Sequence, residues 1–306
     1  MPTKPFESLL YRELAKVAAK DIIEIASPLL QELVNYATNA FARCATSTSG
    51  REDEDSAVLT LYLHIIEMTD GVEVLVSQSC PAPAIPLVRS SFEALLSIKY
   101  ILEEDYVRRS LSWLVDYAHK RLAFYESIDP STDRGKAFQK PLRDHEYEAM
   151  QNVPLPPQAE VQKRITNWRD FLAKPHIRPI EVEFQKCKGK GKRKRRPNWY
   201  KLFGGPGSLF ELAHHLKRGV DYEVLYRHWS SIAHAHDLSR FITVTTEGEA
   251  AIRGLRDPSK IKEVTRQATL YIFEATRLIL GRFRPGENID EWYTREVRER
   301  FLPISN

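Results

Sequence analysis

An arginine and a histidine stand seven positions apart in the stretch RHWSSIAH, residues 227 to 234. Seven residues make nearly two turns of an α-helix, so the side chains of Arg227 and His234 should point nearly the same way. Ser230 and Ser231 fall between them on that face. Trp229 and its apolar neighbours gather on the other face, which should pack into a core. The pattern predicts a polar stripe on an otherwise buried helix.

These residue types suit the cleavage of RNA without a metal ion. In that reaction the 2′-hydroxyl loses a proton, attacks the adjacent phosphorus and expels the 5′-oxygen while negative charge grows on the phosphoryl oxygens. An imidazole, whose unperturbed pKa is about 6.5, can transfer the proton. A guanidinium stays charged and can fork onto phosphate. We therefore assign His234 as general base or acid and Arg227 as the phosphate clamp, with His228, Ser230 and Tyr226 as orienting groups.

The Arg-x6-His spacing, with His228 directly after the arginine, resembles the signature of the HEPN superfamily of helical-bundle proteins. Many members of that superfamily are metal-independent RNases. The wider stretch from Asp221 to His234 is also similar to a bacterial family known only as a domain of unknown function (5677). A second stretch carries the same similarity, with Glu67 and Asp70 in one helix and LVRSSFEA, residues 87 to 94, opening the next.

The resemblance covers residues 55 to 280 with gaps, and it implies a helical bundle with endoribonuclease activity. It also implies a role as a toxin or as a component of phage defence, with an antitoxin or another defence protein as partner. HEPN nucleases commonly pair two copies of the motif across a dimer interface, so a homodimer is a further expectation. RNA is the expected substrate.

A second polar line lies on the apolar helix predicted from Leu87 to about Glu104. Arg89, Glu93, Ser97 and Tyr100 follow i, i+4, i+8 and i+11 and therefore share one face. Unpaired buried charges are costly, so this line must face a partner, a cleft or itself. Two interpretations stay open: an internal Arg89–Glu93 pair that fixes helix packing, or one wall of a binding site that includes both residues.

The segment from Lys186 to Arg196, KCKGKGKRKRR, contains eight basic residues and no acidic residue. The rest of the chain has 37 basic residues against 41 acidic ones, so the positive balance of the protein comes from this segment. Such a block should form a mobile loop that either binds a phosphate backbone or is simply solvated. The candidate RNA-binding residues in it are Lys190, Lys192, Arg193, Lys194, Arg195 and Arg196.

The periodicity predicts a mainly α fold, a HEPN-like helical bundle with a small β-hairpin and a mixed, partly flexible insertion. N-terminal helices occupy residues 1–50 and are interrupted near Pro28. The bundle core covers residues 51–285, with 130–206 as an elaborated basic insertion. Phe241 to Thr245 alternates as a strand should, and Ala250 to Leu255 could return as its partner. Residues 286–306 form a closing helix.

Several classes of function are disfavoured by the composition. The three cysteines are few and far apart, which argues against a disulfide framework. No apolar run reaches the roughly 18 residues needed to span a bilayer, and no signal peptide is evident, so we expect a cytoplasmic protein without membrane contact. His234 and His236 would lie about 200° apart on a helix, so they could share a metal ion only if the helix ended between them. We expect neither a metal nor a cofactor.

Two alternatives to a nuclease remain. Arg227 and His234 could bond carboxylates such as Glu93 or Glu67 inside the bundle, which would leave a non-catalytic module that binds nucleic acid or protein. Alternatively, Arg89, Glu93, Arg227 and His234 could line a pocket for a phosphate or a nucleotide, as in a ligand sensor.

Overall fold

The computed structural model describes residues 10–48, 52–144, 156–189, 196–233, 241–244, 246, 248–252 and 255–305. These residues are mainly helical, as predicted. Contacts divide the chain into two compact units. Unit 1 comprises Met1–Glu104 and Leu209–Asn306, and unit 2 comprises Asp105–Ser208.

The helices differ widely in length, from 3 residues in Gly219–Asp221 to 26 residues in Lys20–Ala45 and in Glu52–Ser77. The α-helices are α1 (Arg12–Ala18), α2 (Lys20–Ala45), α3 (Glu52–Ser77), α4 (Ile85–Glu103), α5 (Tyr106–Ile128), α6 (Asp133–Asp144), α7 (Gln158–Ala173), α8 (Arg178–Cys187), α9 (Leu209–His215), α10 (Gly219–Asp221), α11 (Arg227–Ala233), α12 (Ile261–Phe283), α13 (Ile289–Trp292) and α14 (Arg298–Ser305). Two π-helical turns span Tyr222–Tyr226 and Tyr293–Val297, and 3₁₀ turns span Ala82–Ala84, Trp199–Gly204 and Pro258–Lys260. The strands are β1 (Ile242–Val244) and β2 (Ala250–Ile252).

The core of unit 1 is formed by the four long helices α2, α3, α4 and α12, which pack against one another. Their apolar residues recur at helical spacing, so each helix presents a continuous buried face. The buried Tyr62 hydroxyl of α3 lies 3.1 Å from the carbonyl oxygen of Ala37 in α2 and 2.9 Å from the hydroxyl of Thr276 in α12. One side chain therefore ties three of the four helices together.

The predicted interruption near Pro28 is wrong, because α2 runs through this proline without a break. Proline removes one backbone donor and costs helix stability. In this helix Leu29, Leu30 and Leu33, directly after the proline, are buried in the bundle. Their packing outweighs the local preference of proline.

Unit 2 is built around α5, against which α7 and α8 pack. Its larger apolar cluster includes Val115, Ile177 and Phe184, and a smaller cluster contains Tyr125, Val161 and Ile165. The sequence predicts an insertion over 130–206, whereas the compact unit begins at Asp105. The difference arises because α5 supplies the buried face that α7 and α8 need.

The remaining elements of unit 1 are short. β1 and β2 pair antiparallel through three residue pairs, from Ile242 opposite Ile252 to Val244 opposite Ala250. This ladder is too short to form a layer of the architecture. Residues 289–305 form the expected closing helix, which consists of α13, a π turn and α14 without a break. No helix in the described residues is both long enough and apolar enough to cross a bilayer.

Candidate functional site

The predicted site helix is irregular. Residues 219–233, which we call the signature helix, consist of α10, the π turn Tyr222–Tyr226 and α11. A π turn inserts one extra residue into a helix, and such insertions are frequent at functional sites. The turn ends directly before Arg227. It therefore changes the direction in which residues before and after it point, relative to a regular helix.

Arg227 lies on the surface of unit 1. Its side chain is 73% exposed, and its Nη1 atom donates to Oε2 of Glu223 at 3.0 Å, one turn earlier in the same helix. The hydrogen bond that Arg227 donates to this carboxylate raises the pKa of Arg227, so the side chain is a permanent cation. The guanidinium is accessible to a phosphate.

Tyr226 lies between two charged side chains of α4. Its hydroxyl donates to Oε1 of Glu93 at 2.7 Å, and the guanidinium of Arg89 lies 4.3 Å from the centre of its ring. Burial, together with the hydrogen bond to Glu93, raises the pKa of Tyr226 to about 12. The phenol is therefore a neutral hydrogen-bond donor at physiological pH, which suits an orienting group and not a base.

The second polar line of the sequence contacts the signature helix at two of its four positions. Arg89 and Glu93 both contact Tyr226 and, among the described residues, form no ion pair with each other. The Ser97 hydroxyl donates to the backbone carbonyl of Glu93, and the ring of Tyr100 packs edge-on against His215. α4 therefore supports the helix that carries Arg227.

Trp229 anchors α11 to the bundle. Its side chain is 1% exposed, as the sequence predicts for the apolar face, and its Nε1 donates to Oε1 of Glu263 in α12 at 3.0 Å. Lys260 donates to the other oxygen of Glu263 at 2.7 Å. Ser230 is half-buried and His228 is exposed. The two orienting candidates after Arg227 therefore differ in their access to solvent.

His228 lines a cavity of about 380 Å³ in unit 1. Part of the wall is apolar and includes Ile85 and Ile232, while Arg256 and Lys260 bring two positive charges and Asp257 one negative charge to the same cavity. Arg256 also donates to the backbone carbonyl of Gln78. The cavity combines apolar surface with cationic groups, which suits a small anionic ligand.

The start of the signature helix is held by an ionic network that sequence reasoning missed. Arg218, just before α10, lies 2.8 Å from Asp221 and 3.2 Å from Glu274 of α12. Lys99 of α4 pairs with the same Glu274. The members are far apart in the chain and show no spacing motif, so only the fold reveals them. The network fixes the helix upstream of the π turn.

Several predicted site residues lie outside the described residues. These are His234, which completes the Arg-x6-His motif, and Lys190, Lys192, Arg193, Lys194 and Arg195 of the basic segment. His236 and Asp237, considered as metal ligands, lie outside them as well. Within the described ranges, no group of three or more His, Cys, Asp or Glu side chains comes together as a metal site would require.

Arg196, the last residue of the basic segment, is described and is paired within unit 2. Its Nε lies 3.0 Å from Oδ1 of Asp116, a carboxylate of α5 that is only 6% exposed. Lys120 contacts the other oxygen of Asp116 at 2.9 Å. Arg196 therefore attaches the end of the basic segment to α5.

Residues 55–250 match the model of a family described as a family of unknown function (DUF5677). The chain belongs to this family. Comparisons with curated proteins and with solved structures give no match. The DUF5677 region includes Arg89, Glu93, the signature helix and all of unit 2, whereas Glu263 and Glu274 lie beyond it. Arg227 therefore lies inside the family region, while Glu263 and Glu274, two of the carboxylates that hold the signature helix, lie outside it.

Proposed function

We propose that this protein is a HEPN-like, metal-independent endoribonuclease that acts as a toxin or in defence against phage. The observation that supports the proposal is the position of Arg227. Its guanidinium is solvent-exposed and charged, and it stands at the end of a π turn beside the Tyr226–Glu93–Arg89 cluster. A cation in this setting can contact a phosphate without any rearrangement of the bundle.

The ion pair with Glu223 does not prevent this role. An exposed pair one turn apart contributes little to stability, because water solvates both partners. A phosphate can present two oxygens to the guanidinium, and such charge-assisted contacts are stronger than the helical pair. Arg227 would then exchange Glu223 for the scissile phosphate and stabilise the charge that grows on its oxygens.

The other candidates have complementary roles in this proposal. His234 transfers the proton as general base or acid, since an imidazole titrates near physiological pH. Tyr226, neutral and held by Glu93, orients the substrate or the helix, and His228 and Ser230 are further orienting groups. The basic segment binds the RNA backbone.

Alanine variants test the proposal directly. Arg227→Ala and His234→Ala should each lower RNA cleavage by purified protein by about 10²- to 10⁴-fold, the usual contribution of a charge-stabilising or proton-transferring group. Arg277→Ala is the matched control, because Arg277 is also a surface arginine, 63% exposed, with one carboxylate partner, Asp290. Unchanged cleavage by the Arg227 and His234 variants would leave the non-catalytic interaction module as the better account.

The cavity beside His228 favours a second candidate function, a sensor of phosphate-containing small molecules or nucleotides. The sequence suggests a pocket of Arg89, Glu93, Arg227 and His234, whereas the described cavity is lined by His228, Arg256 and Lys260. A thermal-shift panel of nucleotides tests this candidate. A ligand that raises the melting temperature of the wild type should have a much smaller effect on Arg256→Ala.

A further inference from the structure

The charge of the protein is divided unequally between its two units. Unit 2 contains 22 lysines and arginines against 12 aspartates and glutamates, a formal net charge of +10. Unit 1 contains 23 against 29, a net charge of −6. Unit 2 is therefore the part of the chain with the charge that a polyanion requires.

One face of α5 in unit 2 presents aromatic side chains outside the apolar clusters. Trp113, Tyr117, Lys120 and Phe124 follow i, i+4, i+7 and i+11 and form a stripe about 16 Å long. Tyr117 is 38% and Phe124 is 52% exposed. The rings of Trp113 and Tyr117 are stacked, with an angle of 5° between their planes and 5.7 Å between their centres. We call these four residues the aromatic stripe.

Positive charge is interleaved with these rings. Lys120 lies within the stripe and is 56% exposed. The guanidinium of Arg121 lies 5.7 Å from the ring centre of Phe124 and donates to the Tyr125 hydroxyl at 2.7 Å. The aromatic surface thus has two cations beside it, at Lys120 and Arg121.

The two acidic residues of α5, Asp116 and Glu126, are both paired with cations. Asp116 contacts both Lys120 and Arg196, and Glu126 contacts Arg169 at 3.0 Å. The Arg196 contact has a second consequence, because it attaches the end of the basic segment to α5 one residue before Tyr117. The last residue of the basic segment, Arg196, and the aromatic stripe therefore meet on one helix.

We infer that the aromatic stripe binds single-stranded RNA, with bases stacked on its rings and phosphates contacting Lys120 and Arg121. The inference deepens the proposed function, since it rests on RNA as the substrate. Flat aromatic side chains accept any unpaired base, whereas bases in a duplex are already stacked on one another. Aromatic rings interleaved with cations are the usual composition of surfaces that bind single strands. The surface is in unit 2 and is separate in sequence from Arg227.

The test measures binding of a short labelled RNA by fluorescence anisotropy, in an Arg227→Ala background that keeps the RNA intact. The double change Trp113→Ala and Tyr117→Ala should raise Kd about 5- to 100-fold for each base that no longer stacks. Trp113→Phe with Tyr117→Phe should retain most of the affinity, because both side chains keep a ring. Phe138→Ala is the matched control, since Phe138 is 49% exposed in the same unit but lies on α6.

Charge and strandedness supply further readouts. Lys120→Gln with Arg121→Gln should reduce the dependence of log Kd on log salt, by about 0.7 for each phosphate that the protein no longer neutralises. A duplex of the same sequence should show little sensitivity to the two alanine changes. An unchanged Kd for single-stranded RNA in the double alanine variant would overturn the inference. The inference would also be overturned if the two alanine changes weakened the binding of single-stranded RNA and of the duplex equally. It would be overturned as well if they weakened the binding of polyglutamate as much as that of single-stranded RNA.

These outcomes separate the inference from the proposed function. If the double alanine variant binds and cleaves RNA like the wild type while Arg227→Ala abolishes cleavage, only the stripe is wrong. If the stripe changes weaken binding while Arg227→Ala leaves cleavage unaltered, only the nuclease assignment is wrong.

Discussion

At the scale of single residues, Tyr226 connects the predicted motif to the rest of unit 1. Its hydroxyl contacts Glu93, its ring contacts Arg89, and it directly precedes Arg227. All four were predictable as candidates from their types and spacing. The contacts among them could not be predicted, because all of unit 2 lies between α4 and the signature helix in the sequence.

The raised pKa of Tyr226 predicts a dependence of stability on alkaline pH. A tyrosine ionises at about pH 10 when unfolded, and the pKa of folded Tyr226 is about 12. The stabilisation is therefore complete below about pH 10 and is lost as the pH rises to about 12. Urea unfolding of the wild type and Tyr226→Phe at about pH 10 and about pH 12 measures this loss. Between the two pH values the free energy of unfolding should fall by about 1 kcal/mol less in Tyr226→Phe than in the wild type, after allowance for solvent screening.

Glu93→Gln is the companion variant for this measurement. It keeps an acceptor for the phenol but removes the negative charge that raises the folded pKa of Tyr226. The alkaline loss of stability should therefore still begin near pH 10, but it should be smaller and be complete at a lower pH than in the wild type. Identical pH profiles of the wild type and Tyr226→Phe would contradict the assigned contact between Tyr226 and Glu93.

Trp229 provides a prediction about the anchoring of α11. Trp229→Ala removes a fully buried ring and the donor to Glu263, and should lower the free energy of unfolding by about 3–5 kcal/mol. Phe210→Ala, at a position 42% exposed in unit 1, should cost within about 1 kcal/mol. Urea denaturation of both variants measures these changes in the free energy of unfolding. If Trp229→Ala lowered it as little as Phe210→Ala, Trp229 would not anchor α11 to the bundle.

At the scale of elements, the π turn is the feature that periodicity did not reveal. Apolar spacing was sufficient to predict α3, α4 and α12, since each buries a continuous face. One additional residue in the signature helix leaves no comparable signal, because the flanking residues still follow a helical pattern. Pro28 shows the opposite error, in which a strong local signal was overruled by packing.

Deletion of Val224 tests whether the π turn is needed. Val224 is 62% exposed, and removing it would take out the one extra residue that the π turn accommodates, so a regular α-helix would keep the flanking segments in nearly the same relative orientation. The Arg218–Asp221–Glu274 contacts upstream and the Tyr226–Glu93 contact downstream could then still form together. We therefore expect the deletion to lower the free energy of unfolding in urea by little more than Val224→Ala does, about 0.5 kcal/mol. A decrease of about 2–4 kcal/mol for the deletion alone would show that the packing of the helix needs the turn itself.

At the scale of the whole molecule, the chain has an acidic unit 1 and a basic unit 2. The basic segment supplies eight of the positive charges of unit 2 and is evident in the sequence. Residues 105–129 contain four basic and four acidic residues, so the division of charge could be predicted from the insertion over 130–206 without α5. The mainly helical fold was predictable from periodicity alone. The unit boundaries were not, since they depend on which helices share a core.

The homodimer expected from the HEPN resemblance predicts how activity depends on concentration. If two copies of the motif form one site, the specific activity should fall on dilution below the dimer dissociation constant, because monomers would lack half of the site. Cleavage assays over a dilution series, with sedimentation equilibrium at the same concentrations, test this. Constant specific activity across dissociation would show that one copy suffices.

The most direct measurement is incubation of the pure protein with RNA in the presence and absence of EDTA, followed by chemical analysis of the new ends. If the 2′-hydroxyl attacks while Arg227 contacts the phosphate, cleavage should be the same with and without EDTA, and the new ends should be cyclic phosphates. Arg227→Ala should lose both the cleavage and the cyclic phosphate ends. The absence of cleavage, its abolition by EDTA, or termini with a free 3′-hydroxyl would contradict the account.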